Sequence, residues 1–228
     1  MENVNQPKLI LASGSPRRKE LIQRLGLPFE ILSCNVDEEF LQTQYQGGPH
    51  GLAPYLAKFK LLAAIDIAGN KPNAVIIAAD TTVVLGNSVL NKPHNPEEAR
   101  AMLNDLRGKT HIVTTALCAA RAGVPDEIYT TVEHTRVCMR NYTDAEITDY
   151  IATGDPFDKA GGYAFQHEDF HPVERIEGCA PGLIGLQLCQ LQIALTQLGV
   201  SAPIPESLPK HAHCVWDARC NARISLEQ

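Results

Sequence analysis

Lys8-Leu-Ile-Leu-Ala-Ser13-Gly-Ser-Pro-Arg17-Arg-Lys-Glu-Leu-Ile-Gln-Arg-Leu-Gly26 decides how the chain is read. It opens on a short, largely apolar run, as a buried strand does. Ser13-Gly14-Ser15 interrupts the run with small residues. Ser15 suits a helix N-cap and Pro16 the first helical position. Leu21, Ile22 and Leu25 then fall on one helical face, and Gly26 suits the helix end. The stretch therefore predicts a strand, a small-residue turn and a helix N-terminus. Free backbone N–H groups and the positive end of the helix dipole attract an anion there. Arg17 and Arg18 add forked donors suited to phosphate oxygens.

Outward from that stretch the chain alternates. Pro28–Ser33 reads as a strand, Val36-Asp37-Glu38-Glu39 as an acidic loop, and Gln42–Gly51 as a polar, Gly-containing loop. The acids suit a solvated turn, or Glu38 could help to hold a hard metal ion. Leu52, Leu56, Phe59 and Ala63 predict a helix to about Ala68, on which Lys58 and Lys60 read as surface lysines. Ala74–Ala79 is a continuous apolar run, expected for a strand buried on both faces. It ends in Asp80-Thr81-Thr82, and a second apolar stretch, Val83–Leu85, follows. A carboxylate between two buried segments needs a partner, a metal or a task, unless it only caps a turn.

Gly86-Asn87 suits a hairpin, and Asn95-Pro96-Glu97-Glu98 a helix start whose buried stripe is Ala99, Met102, Leu103 and Leu106. Thr110–Ala120 and Ile128–Met139 are rich in β-formers and read as a hairpin, with His111 and His134 in structural positions. Thr143-x-x-Glu146 is a capping box. Residues 154–166 read as a loop and short strand in which Gln166 could read a base edge through paired hydrogen bonds. Leu183–Leu198 predicts one buried helix, and a polar tail follows Ser201. The order of elements indicates an α/β fold with a mixed sheet.

Composition bounds the function. A chain of 228 residues with 44% apolar residues can bury a real core. No apolar run is long enough to span a membrane, and Met1–Pro7 is polar, so a soluble, cytoplasmic protein is expected. The net charge of −6, without a basic stripe, argues against a nucleic-acid polymer as partner. It also means that a polyphosphate needs local cations and a divalent metal. Seven cysteines without a Cys-x-x-Cys pair do not suggest a disulfide framework. Cys34, Cys118, Cys138 and Cys189 read as buried thiols. His211, His213, Cys214 and Cys220 read as part of the tail, with a zinc site the alternative.

Four segments occur in order: Ser13-Gly14-Ser15-Pro16-Arg17-Arg18-x-Glu20-Leu21, Ala79-Asp80-Thr81, Asn91-Lys92-Pro93 and Asp158-Lys159-Ala160-Gly161-Gly162-Tyr163-x-x-Gln166. Together they resemble the Maf family of nucleoside triphosphate pyrophosphatases over about residues 8–198. The resemblance implies hydrolysis of a nucleoside triphosphate to monophosphate and pyrophosphate with a divalent metal, Mg or Mn. It implies an inosine-triphosphatase-like α/β fold, with a mixed central sheet flanked by helices and two lobes around a cleft. Residues 1–200 would form this single domain and residues 201–228 a tail. By resemblance Asp80 matches the general base, acting directly or through the metal, and Glu38 an acidic position near that metal. Ser13, Arg17, Arg18, Lys60 and Lys92 match positions around the phosphates. Arg17, Thr81 and Gln166 resemble the subgroup that hydrolyses dTTP and UTP, and the family suggests a homodimer. Phe59, Gln187, His167–His171 and Cys179-Ala180-Pro181 depart from the family's pattern.

Overall fold

The opening stretch folds as β1 (Lys8–Leu11) and α1 (Pro16–Gln23). Ser15 is the N-cap, its hydroxyl accepting from the Arg18 N–H at 3.5 Å, and Pro16 takes the first turn. The computed structural model describes residues 7–69, 71, 73–124 and 127–202, and the backbone of 223–225.

Next come β2 (Phe29–Ile31), α2 (Glu38–Gln44), α3 (Leu52–Ala68) and β3 (Ala74–Leu85). β1 pairs in parallel with β2 and β3, and the joining helices cover opposite faces of the sheet. Leu9 and Leu11 point to the face of α1, Ile10 to that of α3. The rest of the sheet is antiparallel. β5 (Thr110–Arg121) runs along β3, then β6 (Tyr129–Met139), β7 (Val173–Glu177) and β8 (Arg223–Ser225) follow outward. β4 (Ser88–Leu90) folds back on β3 through the Gly86-Asn87 turn. The result is the mixed sheet with flanking helices that the order of elements predicts.

β3 positions the site. The two apolar stretches around Asp80 are one uninterrupted strand of 12 residues, with Asp80 opposite Ala116 of β5. On one face of this pair two separate apolar clusters form. Leu11, Ile77 and Ala79 pack with α1 and α7 (Leu188–Gln197). Val83 and Val113 pack with α4 (Pro96–Leu106) and α5 (Asp144–Ala152). Between them on that face lie Thr81 and its cross-strand neighbour Thr115. A polar layer thus separates two lobes built on the same strands, and the cleft opens there.

Local signals hold where they are strongest. Asn95 caps α4, accepting from the Glu98 N–H at 2.8 Å. Thr143 and Glu146 make the reciprocal capping box of α5. His111 is buried, its Nε2 2.7 Å from the Tyr163 hydroxyl, and burial pulls its pKa down to about 4.

Other expectations are corrected. The acidic loop is the start of α2, because Asp37 accepts from the Phe40 N–H at 2.9 Å and Glu38 and Glu39 favour the first turn. On α3 the buried face is Leu52, Ala53, Leu56, Ala57, Leu61 and Ala64, leaving Phe59 38% exposed, because small alanines let the helix lie close on the sheet. Residues 154–166 hold two short 3-10 turns in place of a strand, and Val173–Glu177 forms a further strand, β7, beyond the expected elements. Leu183–Leu198 is not one helix: α6 (Ala180–Ile184) ends at Gly185, whose φ is +118°, before α7 begins. Of the four cysteines read as buried, Cys118 is; Cys34, Cys138 and Cys189 are half-buried. No helix among the described residues is long and apolar enough to cross a membrane.

The α5 cap yields an expected pH effect. Bonds from the Thr143 N–H, the Arg140 guanidinium and the Thr143 hydroxyl lower the Glu146 carboxyl from 4.5 to about 2. A folded-state pKa below the unfolded value gives stability that is present above about 4.5 and lost as pH falls toward 2. Glu146→Gln should therefore lower Tm at pH 7, with the gap from the parent closing between pH 5 and pH 2 in a melting series.

Candidate active site

The cleft is a cavity of about 800 Å³. On one wall is the small-residue turn before α1. Arg18 leans across it and is held at three nitrogens. Nε donates to the Gly185 carbonyl at 2.9 Å, Nη1 to Ser13 Oγ at 3.3 Å and Nη2 to Thr81 Oγ1 at 3.4 Å. Burial lowers its pKa, while the Asp80 and Glu38 carboxylates act the other way. Arg17 faces outward and reaches Asp158 Oδ2 at 3.0 Å, joining the first motif to the last.

On the other wall is Asp80, only 5% exposed. Its Oδ1 lies 2.6 Å from Lys60 Nζ, and the same ammonium lies 2.9 Å from Glu38 Oε1. Lys60 reads from sequence as a surface lysine. The structure largely buries its side chain, because α3 packs against β3 and carries Lys60 to the one buried acid of that strand. Two carboxylates and one ammonium therefore converge, with Glu38 at the solvent side, its side chain about half exposed.

Lys92 and Gln166 are exposed residues that line the same cavity. Lys92 follows β4, and the neighbouring Asn91 carbonyl accepts from the Gly161 N–H at 3.0 Å, so the segment is tied to the loop that carries Gln166. That loop is anchored on α5: the buried Tyr150 hydroxyl donates to Asp155 at 2.7 Å and accepts from the Ala164 N–H at 2.9 Å. Lys159 binds Asp155 Oδ1 at 2.7 Å and Asp158 Oδ1 at 2.6 Å. Burial raises the Asp158 carboxyl, but the bonds from Lys159 and Arg17 outweigh it and leave the pKa below the ordinary value.

Every residue singled out in the sequence for this site lines the cavity: Ser13, Arg17, Arg18, Glu38, Lys60, Asp80, Thr81, Lys92 and Gln166. The sequence reading missed the turn between α6 and α7 and the β5 residue Thr115 beneath it. A threonine in a β-rich run reads only as a strand former, so no sequence signal marks it. For a metal, the donors at hand are the hard oxygens of Glu38 and Asp80. Among the described residues no group of three or more His, Cys, Asp or Glu converges. Two carboxylates suit Mg²⁺, which takes its remaining ligands from substrate phosphates and water. The cluster of His211, His213, Cys214 and Cys220 lies outside the described residues.

Residues 8–198 match the family model described as Maf-like protein. A protein of Thermomicrobium roseum named dTTP/UTP pyrophosphatase is 42% identical over 203 residues, 88% of this chain and 89% of its own. Proteins of the same name from Dictyoglomus thermophilum and Deinococcus radiodurans are 38% and 40% identical. These alignments cover 85% and 86% of this chain and 97% and 95% of theirs.

Proposed function

The chain belongs to the Maf-like protein family, and on that premise we propose that it is a nucleoside triphosphate pyrophosphatase, a hydrolase of acid anhydrides acting on dTTP and UTP. The observation that carries this reading is the pairing across one cleft of a buried acid, Asp80, with a tethered cation, Arg18. A triphosphate brings about four negative charges, which forked guanidiniums, ammonium groups and a metal can offset. Arg18 and Ser13 hold phosphate oxygens from the α1 side, and Lys92 and Arg17 do so from the rim. Thr81 and Gln166 set the pyrimidine preference; the Gln166 amide can pair with a carbonyl and ring N–H of uracil or thymine.

Asp80 orients the attacking water and accepts its proton at a carboxylate oxygen. Lys60 keeps that carboxylate aligned before substrate binds, through the 2.6 Å contact of its Nζ with Asp80 Oδ1. Glu38 and Asp80 would hold the divalent metal, which supplies charge neutralisation on the phosphates when bound. Residues 1–200 carry the activity, and Arg223–Ser225 of the segment expected to be a tail instead adds the outermost strand of the sheet. We place the protein in the cytoplasm, as a homodimer.

The test is pyrophosphate release with Mg²⁺ across a panel of nucleotides. UTP and dTTP should give the highest kcat/KM; ITP or XTP ahead of them would favour an inosine-triphosphatase-type enzyme, and no turnover of any nucleotide would favour a binding protein. Gln166→Glu should lower kcat/KM for UTP and dTTP by about tenfold, roughly the loss of one hydrogen bond, and should affect purine nucleotides less.

A further inference from the structure

Arg18 is gripped by groups that are themselves held, and the holding converges on one residue of β5. Thr115 is 1% exposed and is engaged at both ends. Its Oγ1 donates to the Gly182 carbonyl at 2.8 Å, while its own carbonyl accepts from Gln187 Nε2 at 2.5 Å. Gly182 lies in α6 and Gln187 is the N-cap of α7, so the two partners flank the turn whose Gly185 carbonyl accepts from Arg18 Nε. Gly185 is needed there: its φ is +118°, and a Cβ would lie 3.2 Å from Arg18 Nε.

Proton direction follows from counting. A hydroxyl has one proton. Thr115 commits its proton to Gly182, because a carbonyl can only accept. In the 3.1 Å contact between the two hydroxyls, Thr81 must then be the donor. That leaves Thr81 Oγ1 to act as an acceptor toward the cleft, which is what Arg18 Nη2 requires at 3.4 Å. A guanidinium has five N–H donors, and the contacts to Gly185, Ser13 and Thr81 occupy three. Two remain, one on each terminal nitrogen, as a bidentate grip on an oxyanion requires.

We propose that Thr115, with Gln187 behind it, is a positioning residue for Arg18: its hydroxyl sets the direction of the Thr81 proton, and both its polar groups pin the turn that holds Arg18 Nε. The functional consequence rests on the phosphate-binding role of Arg18, whereas the clamp itself is a property of the free protein. Gln187, a departure from the family's pattern, supplies one of the two pins in this chain.

Two measurements on the full chain test it. The first is hydrogen exchange of the Arg18 side-chain Nε–H by ¹⁵N NMR without ligand. Thr115→Val should speed exchange by about tenfold, the loss of roughly one hydrogen bond, and Thr115→Ser should restore the parent rate. Unchanged exchange in Thr115→Val overturns the proposal. The second is the affinity for tripolyphosphate, which has no base, in a double-mutant cycle. Thr115→Val should weaken binding about tenfold with Arg18 present and have little further effect in an Arg18→Ala background. Equal losses in both backgrounds would mean that Thr115 acts only on folding and would overturn the proposal. Should the parent not bind tripolyphosphate, the phosphate reading fails while the exchange measurement still decides the clamp. If Thr115→Val does not fold, Gln187→Met carries the same exchange test, since it removes the donor behind the Thr115 carbonyl and keeps side-chain length. Faster exchange supports the clamp, and no change overturns it.

Discussion

Asp80→Asn lowers kcat by about 10³-fold, the range general-base catalysis supplies, and leaves UTP affinity within a few-fold of the parent. Asparagine keeps the shape of the side chain and can still accept from Lys60 through its carbonyl oxygen. It cannot take a proton from water. Removing a negative charge beside a polyanion also takes away repulsion, so the ground state does not suffer. The signature is therefore a fall in kcat without a matching rise in Kd, read from single-turnover kinetics beside equilibrium binding. A fall in kcat of less than about tenfold would remove Asp80 from the chemistry.

Lys60→Met is the change with the largest expected effect on stability. The Lys60 Nζ to Asp80 Oδ1 contact is 2.6 Å, and both side chains are largely buried. Removing one partner of a buried ion pair leaves the other charge stranded, at a cost of about 3 kcal/mol. Glu38, half exposed, can turn to water and adds little to that cost. Replacing both partners is different, because no buried charge remains. The double variant Lys60→Met with Asp80→Asn should recover most of the lost stability in urea unfolding. A single variant within about 1 kcal/mol of the parent, or a double variant that shows the sum of two penalties, would contradict the pairing.

What was legible in the chain depended on distance along it. Caps were read correctly, because the interactions at Ser15, Asn95 and Thr143 span only three residues. The mixed sheet was legible too, since apolar runs alternate with helical stripes in an order that few topologies satisfy. The Lys60–Asp80 pair was not legible from residue pattern: lysine on a helix reads as solvated, and only docking of α3 on β3 brings the two together. Resemblance placed Lys60 near the phosphates, but not against Asp80. Thr115 and Gln187 are 72 residues apart, and their bond leaves no periodicity to detect. The helix α2 was missed for another reason. Asp37, Glu38 and Glu39 were read as a solvated loop, although an acid at the cap and two in the first turn also fit a helix start. Phe59 is similar: at helical spacing an apolar residue reads as core, whereas alanines fill that face.

The account stands on one reaction at one cleft, and ³¹P NMR of UTP incubated with the protein and Mg²⁺ reads it directly. UMP and inorganic pyrophosphate should appear together in equal amounts, and both should form about 10³-fold more slowly with Asp80→Asn. Release of UDP and orthophosphate, or UTP left intact by the folded parent protein, would contradict it.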